Sequence, residues 1–111
     1  MVDSGEIRVE AGPGTTVVRL VGEIDVALRE QASLSMATAL TGVDPIVVDS
    51  TDARFVDSSG IAFVMQMKRA ADEAGLDLSL RDPHRVLRDV LEIIGASGLL
   101  RDADEEPAPV G

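Results

Sequence analysis

The residues best suited to do chemistry lie in one short segment, Phe55-Val56-Asp57-Ser58-Ser59-Gly60-Ile61. A helical pattern over residues 58–74 follows, so the polar tetrad from Asp57 to Gly60 stands at the start of a helix. Ser and Asp are favoured there because their oxygens accept hydrogen bonds from free backbone N–H groups, which contributes about 1 kcal/mol. A cap needs one such residue. Three polar residues followed by glycine exceed that need.

A serine at a helix start is a candidate phosphorylation site. Free N–H groups and the positive end of the helix dipole tolerate a phosphate at this position. Phosphorylation adds about −1.5 to −2 charges at pH 7, and at Ser58 that charge would stand beside Asp57 in an already acidic chain. We therefore expect the modification to act against a partner that docks on the helix, rather than to order the fold.

A second segment, Gly22-Glu23-Ile24-Asp25, has a similar arrangement at an earlier strand-to-helix junction. Asp25 is a candidate N-cap for a helix over residues 26–40, and capping alone would explain its presence. If the strands before the two junctions are parallel, both junctions lie at the same end of the sheet. Asp25 would then lie close to Ser58.

The helix after the serine also carries apolar side chains where water is expected. At about 100° per residue, its polar arc comprises Gln66, Lys68, Arg69, Asp72 and Glu73. Three apolar residues fall on the same arc, namely Ile61, Ala62 and Met65. Grouped exposed apolar residues tend to mark a partner surface. Contact with the preceding loop or with the neighbouring helix is an equally good interpretation.

Composition and charge narrow the classes of function. The chain has 111 residues, 45% of them hydrophobic and 2% aromatic, which predicts one domain with an aliphatic core. Its net charge of −10 opposes binding to nucleic-acid phosphates and to anionic lipid headgroups, although it also serves solubility. Neither a secretory signal nor an apolar run of roughly 20 residues is evident. We expect a cytoplasmic protein with a protein partner, no nucleic acid and no membrane.

Enzymatic and cofactor chemistry find little support in the sequence. The chain has no cysteine and one histidine, His84, which is too few for a His/Cys metal cluster. Nucleotide-binding Walker and Gly-x-Gly-x-x-Gly spacings are absent. An enzyme that used Ser58 as a nucleophile would need a base within hydrogen-bond reach, and only carboxylates are at hand. We expect no cofactor, no metal ion and no catalytic residue.

The hydrophobic pattern predicts an α/β domain. Strands are predicted at residues 7–9, 15–21, 45–49 and 76–80, with a further short strand starting at 99–100. Helices are predicted at residues 26–40, at 58–74 and from Asp82-Pro83 onward. Segment 22–25 is predicted to break the second strand, and a polar stretch over residues 50–57 is predicted to follow the third. We expect one domain over residues 1–100 and a disordered, acidic, proline-containing tail over 101–111.

Three segments together resemble a known family. They are Val21-Gly22-Glu23-Ile24-Asp25, Val47-Val48-Asp49 and Phe55-Val56-Asp57-Ser58-Ser59-Gly60-Ile61. They resemble the STAS-domain family and, within it, the single-domain anti-sigma factor antagonists. The resemblance runs from about residue 7 to residue 100. It implies a mixed sheet of four to five strands with helices packed on one side.

The resemblance also implies a partner-switching cycle. In such systems an anti-sigma factor that is also a serine kinase holds a sigma factor inactive, and the unphosphorylated antagonist binds that kinase and frees the sigma factor. The kinase then phosphorylates the first serine of the Asp-Ser-Ser-Gly motif, here Ser58, and a serine phosphatase reverses the step. By the same motif match, Asp25 is the acidic residue near the phosphoserine. The antagonist is a ligand and a substrate, not an enzyme.

The sequence departs from the family pattern in three places. Ala62 replaces a frequent glycine, Ser50 stands where an apolar residue is usual, and residues 101–111 do not look like the family's terminal strand and helix. The alternative is a non-phosphorylated STAS protein-binding module, for example in a lipid-transport or transporter-associated complex. Transporter-linked members would bring membrane spans, and lipid-transport members often lack Asp-Ser-Ser-Gly.

Overall fold

The computed structural model of the chain describes residues 5–103, which form a five-stranded sheet with the strands in chain order. The strands are β1 (Glu6–Gly12), β2 (Thr15–Ile24), β3 (Ile46–Val56), β4 (Leu78–Arg81) and β5 (Arg101–Asp102). The helices are α1 (Arg29–Leu40), α2 (Ser58–Ala74) and α3 (Arg88–Ile93), with short 3-10 helices at Val26–Leu28 and Ser97–Leu99.

The sheet is mixed, as the resemblance implies. β1 and β2 form an antiparallel hairpin whose turn at Pro13-Gly14 places Gly14 at a φ of 81°, where a residue without a side chain is favoured. The pairs β2–β3, β3–β4 and β4–β5 are all parallel. Parallel neighbours need crossover connections, which α1, α2 and α3 supply. The predicted α/β class is therefore confirmed.

One face of the sheet carries the core together with the helices. Alternate strand residues point into it and are fully buried, among them Val18, Leu20, Ile46, Val48, Leu78 and Leu80. α2 contributes Val64 and Met67, α3 contributes Leu91, and Leu87 contributes from the position just before α3, all without measurable exposure. The core is aliphatic, and Phe63 is its one aromatic member among the described residues.

Two strands continue where the sequence pattern predicts a break. β2 runs on to Ile24 through Gly22, which has a φ of 74°, and β3 runs through the polar segment to Val56. The register between β2 and β3 shifts twice, between Arg19 and Val21 and between Gly22 and Glu23. Bulges of this kind let a strand absorb extra residues and polar side chains without losing its neighbour. The predicted strand ends at Val21 and Asp49 are wrong for this reason, since the strands continue to Ile24 and Val56.

The last helix begins later than predicted. A turn follows Asp82-Pro83, and the Asp82 carboxylate accepts hydrogen bonds from the backbone N–H groups of Leu87 (3.0 Å) and Arg88 (2.7 Å) at the start of α3. The further strand predicted near the C-terminus exists as β5, so residues 101 and 102 are part of the sheet rather than of a tail. Residues 104–111 lie outside the described residues. The predicted disorder of the remaining tail therefore stays a prediction.

Candidate functional site

The junctions β2–α1 and β3–α2 lie side by side at the carboxyl edge of the sheet. Ile24 is the register partner of Val56, and the backbone N–H of Asp57 donates to the carbonyl of Ile24 at 3.0 Å. Asp25 and Asp57 therefore follow paired residues on adjacent parallel strands. In open α/β sheets this edge is where ligands commonly bind, and it brings together the two segments that the sequence singles out.

Asp57 fixes the start of α2. Its Oδ1 atom accepts hydrogen bonds from the backbone N–H groups of Ser59 (2.8 Å) and Gly60 (3.2 Å), which is the capping predicted from the sequence. Ser58 is the first residue of α2 and is exposed, whereas Ser59 is half-buried. The backbone around Ser58 is thus held in place while the residue faces solvent.

Gly60 is required by packing. A Cβ atom at this position would lie 2.4 Å from Cγ1 of Val56 and 3.1 Å from Cγ2 of Ile24. The first turn of α2 therefore approaches the ends of β2 and β3 too closely for any side chain. The first turn of α2, which begins at Ser58, is therefore packed directly against the ends of both strands.

Asp25 caps the other junction. Its Oδ1 atom accepts a hydrogen bond from the backbone N–H of Ala27 at 2.9 Å, at the start of the 3-10 helix that leads into α1. Two exposed apolar side chains flank the junctions, Val26 with 54% and Phe55 with 55% of the residue accessible. The sequence pattern did not single out these two, although the alternation of exposure along a strand could have indicated Phe55.

We call the resulting area the junction surface. It combines carboxylates, apolar side chains and one hydroxyl, and comprises Glu23, Asp25, Val26, Phe55, Asp57 and Ser58. Glu23 is the register partner of Phe55 and is exposed, so acidic and apolar groups lie next to each other. Such a mixture suits a protein partner that brings apolar contacts within a basic surrounding.

One of the three apolar residues predicted to be exposed on α2 is in the core. Ile61 is only 6% exposed and packs within the central cluster, so the predicted exposure of its side chain is wrong. The 100° spacing placed it on the polar arc, but the first turn of α2 sits tightly against the strand ends and buries that side as well. Met65 is half-buried against the core, and Ala62 is exposed. Partner contact by Ala62 and Met65 stays a prediction.

A groove of about 500 Å³ lies between α1 and α2 and begins at the junction surface. We call it the inter-helix groove. Asp25 and Val26 line it beside the strand ends, and Ile24 and Leu28 contribute from below. The α1 side is lined by Arg29, Ala32, Ser33, Met36, Ala37 and Leu40, and the α2 side by Ser59, Gly60, Ala62, Phe63 and Gln66. The sequence pattern did not predict this groove, because it depends on the distance between two helices.

A buried carboxylate, Asp49, lies on the opposite face of the sheet and is 3% exposed. Its Oδ2 atom lies 3.2 Å from Nη1 of Arg19 and 3.6 Å from Nη1 of Arg81, and its Oδ1 atom accepts hydrogen bonds from the N–H and hydroxyl groups of Thr51. Burial opposes ionisation, but the Thr51 hydrogen bonds and the two arginines outweigh it and hold the pKa of Asp49 below its ordinary value. Asp49 is thus a structural anchor, distant from the junctions.

Within residues 5–103, no three His, Cys, Asp or Glu side chains are grouped so that they could hold a metal ion. In the same range, no helix has the length and apolar character needed to cross a membrane.

The fold and the motif define a STAS domain, and comparison with known proteins agrees. Residues 7–101 match the family model described as "Mlab, STAS domain". A protein called anti-sigma F factor antagonist, from Lysinibacillus sphaericus, is 32% identical over 96 residues, which cover 85% of this chain and 82% of that protein. The chain therefore belongs to the STAS-domain family, among the anti-sigma factor antagonists, and the resemblance inferred from its motifs is confirmed.

Solved structures show the same architecture. The anti-sigma factor antagonist SpoIIAA in its unphosphorylated form is 28% identical, with a TM-score of 0.72 and 89% of each chain covered. The Bacillus cell fate determinant SpoIIAA in its phosphorylated form is also 28% identical, with a TM-score of 0.69, and the match covers 89% of this chain and 92% of that one. The chain also matches 20% of the length of Mglu, at 21% identity and a TM-score of 0.64, which is a likeness of fold alone.

Proposed function

We propose that this protein is an anti-sigma factor antagonist that is switched off by phosphorylation of Ser58. In its unphosphorylated form it binds an anti-sigma factor that is also a serine kinase, and this binding frees a sigma factor. The kinase phosphorylates Ser58, which ends the interaction, and a serine phosphatase restores it. The protein acts in the cytoplasm as a ligand and a substrate, not as an enzyme.

The observation that carries this proposal is the setting of Ser58. Ser58 is exposed at the first position of α2. The Asp57 carboxylate accepts hydrogen bonds from the backbone N–H groups of Ser59 and Gly60, the two residues that follow. A kinase active site needs a hydroxyl that it can reach, and Ser58 meets that need better than the half-buried Ser59. Relatives named as anti-sigma factor antagonists, and the SpoIIAA structure in a phosphorylated form, support the same assignment.

The junction surface supports the binding half of the proposal. Exposed Val26 and Phe55 offer apolar contacts, and Ala62 on α2 extends them past Ser58. A phosphate on Ser58 would place a bulky dianion among these contacts and beside Asp57. Docking would then have to strip water from that dianion, which is costly unless a matched cation replaces the water. One modification would in this way block the proposed interface.

Partner capture from the native host tests the proposal. Wild-type protein, Ser58→Asp and Thr41→Asp serve as baits, with mass spectrometry as the readout. We expect a serine kinase of the anti-sigma type with the wild type and with Thr41→Asp, which adds the same charge on an exposed residue at the far end of α1. Ser58→Asp should lose this kinase.

If wild type and Ser58→Asp instead recover the same partners, the phosphorylation switch is refuted. Recovery of transporter or lipid-transport components by both baits would favour the alternative of a non-phosphorylated binding module. The STAS fold would stand in either case.

A further inference from the structure

The inter-helix groove has the shape of a site for a third helix. Residues of α1 that line it recur every three or four positions, as Arg29, Ser33, Met36 and Leu40 do, so the groove follows one face of α1 over its 12 residues. At about 1.5 Å per residue that face is roughly 18 Å long. On α2, the lining residues Ser59 and Phe63 are likewise four positions apart, so they lie on one face of that helix. Two helix faces held apart in this way form a groove that accepts the side-chain ridge of an incoming helix.

The lining of the groove is mainly apolar and incompletely covered. Ala32, Met36 and Leu40 pack against the core but are only half-buried, and Ala37 and Ala62 are exposed along the rim. In a domain whose helices closed fully against each other, these side chains would cover one another. An apolar helix face laid into the groove would remove the same area from water.

Charge decides which kind of helix fits. Asp25 and Arg29 are the charged residues among those lining the groove, and their charges balance. The Asp57 carboxylate, which accepts the N–H groups of the lining residues Ser59 and Gly60, adds a negative charge at this end, and the whole chain carries a net charge of −10. The potential at this end is therefore negative, which favours a basic partner and disfavours an acidic one.

We infer that the inter-helix groove binds an amphipathic α-helix of the partner protein, with its apolar face in the groove and Lys or Arg residues towards the junction surface. This inference rests on the proposed function, since the helix belongs to the same partner. It extends the partner contact from Ser58 to Ser33 and Ala37 of α1. In this arrangement a phosphate on Ser58 would lie next to the end of the inter-helix groove that meets the junction surface.

A model peptide tests the groove directly. The probe is an amphipathic Leu/Lys peptide of about 14 residues, near the shortest length at which isolated helices persist in water. We expect NMR amide shifts confined to residues of α1 and α2 that line the groove. Ala37→Arg should weaken binding about tenfold, equivalent to about 1.4 kcal/mol, whereas Thr38→Arg should leave it unchanged.

The two variants are matched because they add the same charge at adjacent exposed residues, and only Ala37 faces the groove. Ser33→Arg serves as a second groove variant if Ala37→Arg folds poorly. A scrambled peptide of the same composition should not distinguish Ala37→Arg from Thr38→Arg. Equal effects of both variants on the amphipathic peptide, or shifts spread over other acidic surfaces, would overturn the inference.

The same variants as baits in partner capture separate this inference from the proposed function. Loss of the serine kinase with Ala37→Arg but not with Thr38→Arg supports the groove as its docking site. Equal capture by both, together with loss by Ser58→Asp, overturns the groove inference and leaves the proposed function intact. If even wild type captures no kinase, the proposed function fails and the inference about its partner fails with it.

Discussion

The junction surface and the helix-free face of the sheet both present carboxylates, but they use them differently. On the helix-free face, Asp49 is buried and is held by Thr51 and two arginines. At the junctions, Asp25 and Asp57 accept backbone N–H groups, which leaves acceptor capacity beside exposed apolar side chains. An aspartate therefore anchors the fold where arginine and threonine donors surround its carboxylate. Where fewer donors surround the carboxylate, it remains available to a partner.

The sharpest test of where the junction surface ends compares Ile61→Glu with Ala62→Glu. The first substitution buries a carboxylate among apolar side chains, and we expect a loss of more than about 4 kcal/mol in the free energy of unfolding. The second adds the same charge on an exposed residue, so the fold should keep its stability while partner binding weakens. Urea denaturation of both variants is the measurement, and similar midpoints would mean that Ile61 belongs to the surface after all.

A second test concerns the anchoring role of Asp49. Asp49→Asn keeps an oxygen acceptor for Thr51 but removes the charge facing Arg19 and Arg81, both of which reach solvent, so we expect a loss of about 2 kcal/mol. Partner binding should be unaffected. If the Asp49→Asn variant were fully stable yet failed to bind the partner, Asp49 would be a binding residue and not a structural anchor.

The same variant should change how stability depends on pH. The folded pKa of Asp49 lies below its unfolded value, so its contribution is complete above the unfolded pKa and is lost as pH falls through the folded pKa. Wild type should therefore lose stability more steeply than Asp49→Asn on the acid side. Parallel acid limbs for the two proteins would show that Asp49 is not the group responsible.

The smallest effect on stability is expected for Ser58→Ala. Ser58 is exposed and the Asp57 cap does not depend on its hydroxyl, so unfolding should change by less than about 0.5 kcal/mol. Incubation with the captured kinase and ATP should leave this variant unphosphorylated, although it still binds. Undiminished phosphate uptake would move the modification to another residue, with Ser59 the first to examine.

Ser50 shows how a departure from a family pattern can have a structural cause. Its side chain is fully buried, and its hydroxyl forms a hydrogen bond with the Asp82 carboxylate. The other oxygen of Asp82 accepts the N–H groups that begin α3. Ser50 thus helps to hold the end of β4 and the start of α3. The sequence alone does not reveal this partnership because 32 positions separate the two residues.

Much of the architecture follows from local properties of the sequence. Alternating apolar residues predict the strands, three-and-four spacing predicts α1 and α2, and Gly75 ends α2 in the left-handed conformation that glycine adopts readily. These features depend on residues that are close together in the chain, so they can be predicted from one sequence. The Asp-Ser-Ser-Gly tetrad at a helix start and the Gly-Glu-Ile-Asp segment are local features of the same kind, and together they indicate the family from the sequence alone.

Tertiary structure decided the features that depend on residues far apart in the chain. The burial of Ile61 follows from the close approach of Gly60 to Ile24 and Val56, and the two bulges of β3 follow from its pairing with β2. The inter-helix groove exists only because α1 and α2 stand apart on the sheet. The spacing of residues along the sequence does not report such distances. The packing free energy depends on which surfaces come into contact, and only the folded chain determines which surfaces those are.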